Sequence, residues 1–185
     1  MQNKTKLVFK GVTEIVGGSN MGLLILTDSN EKRQIAIVCD KTIEEQINLR
    51  LAQVPIKNIL LPEVLCSVNP DMNSENYELF FNSISGGQYK VVLFNKITLE
   101  MTPIRASDAI LLANIANLEI FMDDKLFLKQ SVSYADGKNK IALPVNALST
   151  PMLKTALEKA IENENFELAS NLRDELQKRK QQDNA

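Results

Sequence analysis

Ile104-Arg105-Ala106-Ser107-Asp108-Ala109-Ile110-Leu111-Leu112-Ala113, followed by Leu118-Glu119-Ile120-Phe121, sets a strand, a helix and a second strand in immediate succession. Ser107 to Ala116 reads as the helix, Glu119 to Met122 as a short strand, and Asp123 to Lys129 as a further helical turn or two. Upstream lies a clear hairpin. Tyr77 to Ser83 and Gln88 to Asn95 are joined across Gly86-Gly87, and Ile97 to Ile104 continues as a third strand. Further back, Lys6 to Val16 leads to the turn signal Gly17-Gly18-Ser19-Asn20. Gly22 to Thr27 returns, and Arg33 to Val38 follows after Asp28-Ser29-Asn30. Connections this short make the three strands antiparallel neighbours.

Thr42 is placed to cap the next helix, with Glu45 three residues on in capping-box position. Ile43, Ile47, Leu51 and Val54 recur at helical spacing and predict one face packed on the sheet. After Pro55, Ile59 to Val68 contains a short helix beginning near Pro62, where proline suits a first turn. Asn69 to Asn76 is a polar loop. The fold class is therefore α+β, a largely antiparallel or mixed sheet with packed helices.

The last 37 residues differ. Thr150 and Pro151 open a helix, and Leu153, Leu157, Ala160 and Ile161 form one apolar stripe. Asn163-Glu164-Asn165 interrupts the pattern, and Phe166, Ala169, Leu172 and Leu176 set up a second stripe. The result is an antiparallel helical hairpin. Two helices of about three turns cannot bury a self-sufficient core, so they must dock on the main domain, on a copy of themselves or on a partner. The expected division is a domain at 1–130, a linker or loose hairpin around Asp136-Gly137 at 131–148, and the helical hairpin at 149–185.

Composition narrows the chemistry. There is no histidine in 185 residues. That removes the commonest general base, the commonest transition-metal ligand and the usual near-neutral pH switch. Hydrolysis is left to carboxylates with Mg²⁺ or Mn²⁺, helped by Arg, Lys, Ser or Tyr. Residues 149–185 hold 6 Lys and Arg against 7 Asp and Glu, leaving 15 against 16 for the rest. Neither part has the basic excess that normally drives nucleic-acid binding. Cys39 and Cys66 sit among apolar neighbours in no metal or redox spacing and read as two buried, reduced thiols. With no apolar run long enough to cross a bilayer and a polar start at Met1-Gln2-Asn3-Lys4, the sequence predicts a cytoplasmic protein with no membrane contact. Phe80-Phe81 lies mid-strand, so one ring faces the core.

Two resemblances build on these readings. Leu153-x3-Leu157-x2-Ala160-Ile161-x2-Glu164-x-Phe166-Glu167-x-Ala169-Ser170-x-Leu172-Arg173-Asp174-x-Leu176 resembles the UVR motif of bacterial excision-repair subunits and some protease adaptors. The resemblance implies a hairpin that pairs with another protein or a second copy, through Phe166, Ala169, Leu172, Arg173 and Asp174. The stretch from Ile104 to Ala113, with Leu118 to Phe121, resembles the bifunctional nuclease domain, also called DUF151. That family carries Arg-Pro-Ser-Asp-Ala-Ile before a helix and then a short strand. The likeness spans roughly residues 6–130, and the family also occurs with a C-terminal UVR hairpin. Here Ala106 replaces the signature proline and Pro103 replaces an acidic residue. Ile37-Val38-Cys39-Asp40-Lys41-Thr42 lacks the family's glycine after the third strand. Pro55-Ile56-Lys57-Asn58-Ile59-Leu60-Leu61-Pro62 lacks its histidine.

The resemblance implies a metal-dependent nuclease acting on DNA or RNA, with Arg105, Ser107 and Asp108 as catalytic residues. Asp108 with Asp40, Glu44 or Glu45 would hold Mg²⁺ or Mn²⁺, while Arg105 and the helix N-terminus bind phosphate. The same residues also admit a structural account, in which Ser107 caps the helix, Asp108 favours its dipole and Arg105 pairs with Asp108. On that account the protein is a non-catalytic adaptor or assembly module. A homo-oligomer is expected either way.

Overall fold

A computed structural model of the chain describes residues 3–14, 21–54, 58–134, 145, 148 and 150–183. Its elements in order are β1 (Lys4–Glu14), β2 (Met21–Asp28), β3 (Arg33–Asp40), α1 (Lys41–Leu51), α2 (Leu61–Val68), β4 (Tyr77–Ser85), β5 (Gln88–Asn95), β6 (Met101–Ile104), α3 (Ala106–Ala116), β7 (Glu119–Asp123), α4 (Asp124–Gln130), β8 (Val132–Ser133), α5 (Thr150–Glu162) and α6 (Phe166–Asp183). The protein is α+β. Among the described residues, eight strands form one mixed sheet in the order β6-β5-β4-β7-β1-β2-β3-β8. Every pairing is antiparallel except β4 with β7, where Leu79 lies opposite Ile120 and Phe81 opposite Met122. Parallel neighbours need a long crossover. It is supplied by β5, β6 and α3, and this places the strand-to-helix junction at Arg105 on the rim of the sheet.

Side-chain alternation assigns the two faces. Leu7, Leu24, Leu26, Ile35, Ile37, Leu79, Phe81, Ile120 and Met122 turn to one side. There they meet Ile43 and Ile47 of α1, Ala109, Ile110 and Ala113 of α3, and Leu126 and Phe127 of α4. Phe81 is fully buried and meets Tyr89 edge-on, with ring centroids 5.9 Å apart and planes at 70°. Its neighbour Phe80 is half-buried, so one ring of the pair does face the core. On the opposite side, Leu23, Ile25 and Ala36 form a smaller buried cluster. Beyond it runs a ladder of charge, with Lys4 Nζ 2.6 Å from Glu78, Lys6 Nζ 2.6 Å from Glu119, and Lys4 Nζ 3.9 Å above the Phe121 ring.

Several local expectations are corrected. Asp40, not Thr42, caps α1: its Oδ1 accepts from the Ile43 N–H at 2.9 Å, because the last residue of β3 leaves the strand in the extended conformation a cap needs. Of the four apolar positions expected on its packed face, Ile43 and Ile47 are buried, Val54 is half-buried, and Leu51 is 51% exposed. The strand expected from Ile97 begins only at Met101. Asn95 Oδ1 accepts from the N–H groups of Ile97 (2.8 Å) and Thr98 (3.0 Å), and this local turn takes the chain out of the ladder. Gly17 to Asn20 and Asp136-Gly137 lie outside the described residues.

The helical hairpin docks on the main domain. Leu148, Leu153, Ala160, Ala169 and Leu172 form its core, and Val38 of β3 packs against it. Ile161, expected in the buried stripe, is 55% exposed because the stripe narrows to the positions that face α6. Arg179 is buried and donates to the Leu148 carbonyl at 2.6 Å and to Glu175 at 2.9 Å. That carbonyl sits directly over Gly87, in the β4–β5 turn, where a Cβ would overlap it.

Candidate functional site

Three segments meet at the junction. Asp40 ends β3, Arg105 follows β6, and Asp108 lies in the first turn of α3. Arg105 occupies the cap position of α3 (φ −66°, ψ 139°) and no side chain caps the helix. Ser107 was expected to do so. It sits instead inside the first turn, 4% exposed, past the cap position from which a hydroxyl accepts from an N–H two or three residues further on.

The Arg105 guanidinium is shared by two carboxylates. Nε donates to Asp108 Oδ2 at 2.8 Å and Nη2 to Asp108 Oδ1 at 3.0 Å, a planar two-bond fork. Nη1 donates to Asp40 Oδ2 at 3.0 Å. Hydrogen bonding to Asp108, then the charges of Asp108 and Asp40, push the arginine's pKa further up, so it stays a cation. The cluster is open to solvent: the side chains of Arg105, Asp40 and Asp108 are 59%, 45% and 39% exposed. Arg105, Asp40 and Ser107 line a cleft of about 770 Å³, with Lys90 and Asn82 from the β4–β5 hairpin and Met152 from α5.

Glu44 and Glu45 are not part of this lining. Glu44 is 3% exposed and turned inward beside Gly22, with Lys41 Nζ at 3.2 Å. Glu45 is exposed. Among the described residues, no three His, Cys, Asp or Glu side chains stand together as a metal-ligand group. The donor set does not suit a resident divalent ion, because one arginine stands between the two nearest carboxylates and binds three of their four oxygens, while Asp40 Oδ1 is taken by α1. Burial pushes the Cys39 thiol from 9.0 up to about 11, so it offers no thiolate near neutral pH. Both cysteines are free, but only Cys39 is buried; Cys66, on α2, where no residue is buried, is partly exposed.

The sequence pointed to Arg105, Ser107, Asp108 and Asp40; the fold brings Arg105, Ser107 and Asp40 to one cleft, and Asp108 is tied to it through Arg105. Lys90, Asn82 and Met152 had not been singled out. Lys90 and Asn82 come through strand pairing and Met152 through docking of α5, and neither leaves a local signature. In the hairpin, Ala169 and Leu172 are buried in its own core, whereas Phe166 is 70% exposed. Arg173 and Asp174 are exposed beside each other, 3.7 Å apart.

Two family models match the chain. The bifunctional nuclease domain model matches residues 24–135, and the UvrB/uvrC motif model matches residues 153–182. No curated protein matches the chain. No helix among the described residues is long and apolar enough to cross a membrane. With more than half of its length matched, and with the strand, arginine and helix arranged as described, the chain belongs to the bifunctional nuclease domain family and carries a UvrB/uvrC motif at its C-terminal end.

Proposed function

We propose that the chain is a cytoplasmic nuclease that binds a phosphodiester of DNA or RNA in the Arg105 cleft, works as a homo-oligomer, and recruits a protein partner through its helical hairpin. One observation carries the reading: a solvent-facing guanidinium, held flat by Asp108, stands in an open cleft at the uncapped start of α3. A phosphate presents the same two-oxygen edge as the Asp108 carboxylate and competes for the same fork. The first N–H groups of α3 favour an anion at that place. Arg105 transferred to phosphate frees Asp108 and Asp40 beside the substrate, where a carboxylate can take a proton from attacking water. Mg²⁺ or Mn²⁺ belongs to this proposal as a companion of the substrate phosphates, not as an ion caged by the protein.

The same ion pairs favour a second reading. With the guanidinium satisfied by two carboxylates, the cluster balances its own charge and ties β3 to α3, as a scaffold for an adaptor requires. The deciding assay offers single-stranded DNA, duplex DNA and RNA to the purified protein with Mg²⁺, Mn²⁺ or EDTA, beside Arg105→Ala and Asp108→Asn. Cleavage lost in both variants supports the nuclease, and the EDTA arm reads the cation requirement. Cleavage no greater than that of the variants refutes it and leaves the adaptor.

A further inference from the structure

The helix α2 presents its apolar side to solvent. Leu61, Val64, Leu65 and Val68, spaced i, i+3, i+4 and i+7, are 70%, 42%, 56% and 72% exposed, and Ile59 just before them is 74% exposed. No residue of α2 is buried. The helix is nevertheless firmly placed. Its Glu63 is 2.7 Å from Arg50 of α1, and it rests on α3. The stripe carries no charged side chain, so nothing on it repels a second apolar surface.

We propose that this stripe is the contact between two copies of the chain, with α2 packed antiparallel on α2 of the partner about a twofold axis. An exposed Leu, Ile or Val presents about 170–200 Å², so these five leave on the order of 600 Å² uncovered, at the top of the range for the largest apolar patch on a monomer, where such patches are often contact sites. Two copies together bury on the order of 1,200 Å², the lower bound of specific interfaces. A twofold contact requires a surface complementary to itself, and a Leu/Val stripe on a regular helix meets that requirement without a separate receptor groove. The inference rests on the homo-oligomer in the proposed function and gives it a contact, and its test is independent of whether the chain cleaves nucleic acid.

The test is the molar mass of the full chain by light scattering, from about 1 to 100 µM, a span covering weak and firm dimers. The wild type is expected to reach twice its 20.7 kDa. Leu65→Glu and, as a second variant, Val68→Lys are expected to remain at the single-chain mass with native circular dichroism and a cooperative melt, lower than the wild type's only by the lost association. Ile97→Glu, also 71% exposed but outside α2, is expected to dimerise as the wild type does. A monomeric wild type across the range overturns the proposal and leaves the stripe to a different partner. Dimers that survive in both folded α2 variants also overturn it, since the copies must then meet elsewhere.

Discussion

Replacing Gly87 by alanine tests how the helical hairpin is held. Gly86 and Gly87 form the β4–β5 turn with φ of +57° and +75°, the left-handed pair that a two-residue hairpin needs. Alanine at either position incurs a backbone penalty of about 1 kcal/mol. Nothing lies within 4 Å of a Cβ at Gly86, so the cost there ends. At Gly87 the methyl group overlaps the Leu148 carbonyl and comes within 2.8 Å of both terminal nitrogens of Arg179. Leu148 is fully buried and has no room to retreat alone. The 2.6 Å bond from Arg179 must lengthen or break, and a hydrogen bond to a charged group contributes about 1.5–3 kcal/mol. Gly87→Ala is therefore expected to cost about 2.5–4 kcal/mol against about 1 for Gly86→Ala. For a chain of this size the gap between the variants corresponds to roughly 5–10 °C in melting temperature. If the hairpin leaves as a unit before the sheet melts, its undocking caps the loss, and trypsin then cuts ahead of α5 sooner in Gly87→Ala than in Gly86→Ala. Two variants melting within about one degree of each other, with identical proteolysis, would refute the idea that this turn holds the hairpin.

Other predictions follow from the same contacts. Glu63→Ala strands Arg50, whose side chain is only 4% exposed, and should cost about 3 kcal/mol in a urea titration despite the bonds Arg50 keeps to Gln46. Leu172→Ala opens the hairpin core at a fully buried position and should cost about 2–5 kcal/mol, read as earlier loss of helical circular dichroism. Arg105→Ala removes only exposed ion pairs, so its melting should change by less than about 1 kcal/mol while any phosphate binding is lost, as an isothermal titration with an oligonucleotide would register. Burial raises Cys39 from 9.0 to about 11 and Tyr89 from 10.0 to about 12. The folded state thus holds protons that the unfolded chain releases first. Stability should be steady below about pH 9 and fall progressively from there to about pH 12, and a melting curve flat across that window would count against both burials.

The strands and helices of the main domain were legible because their patterns are strong: Leu24-Ile25-Leu26 and Ile35-Ala36-Ile37 beside turn signals, and an apolar helix after Ser107-Asp108. What escaped reading was decided by competition between neighbouring groups. Asp40 and Thr42 both suit a cap, and the strand's last residue had the required extended backbone. Ser107 has the right chemistry but lies two residues past the cap position, which Arg105 occupies. The cluster of Arg105, Asp108 and Asp40 was half visible. The Arg105–Asp108 pair is three residues apart on one segment, whereas Asp40 is 65 residues away and arrives only through the sheet order. The outward-facing stripe of α2 could not be told from a packed one, since helical spacing gives a face without giving its direction.

Met152 belongs to α5, yet it forms part of the wall of the cleft that holds Arg105. Any ligand whose fit depends on where that methionine lies reports on whether the hairpin is docked. Thermodynamic reciprocity then applies. If docking tightens such a ligand tenfold, the ligand tightens docking tenfold, and a protein that pulls the hairpin away weakens the ligand by the same factor. The two modules would thus share one equilibrium, and occupancy of either could be read from the other.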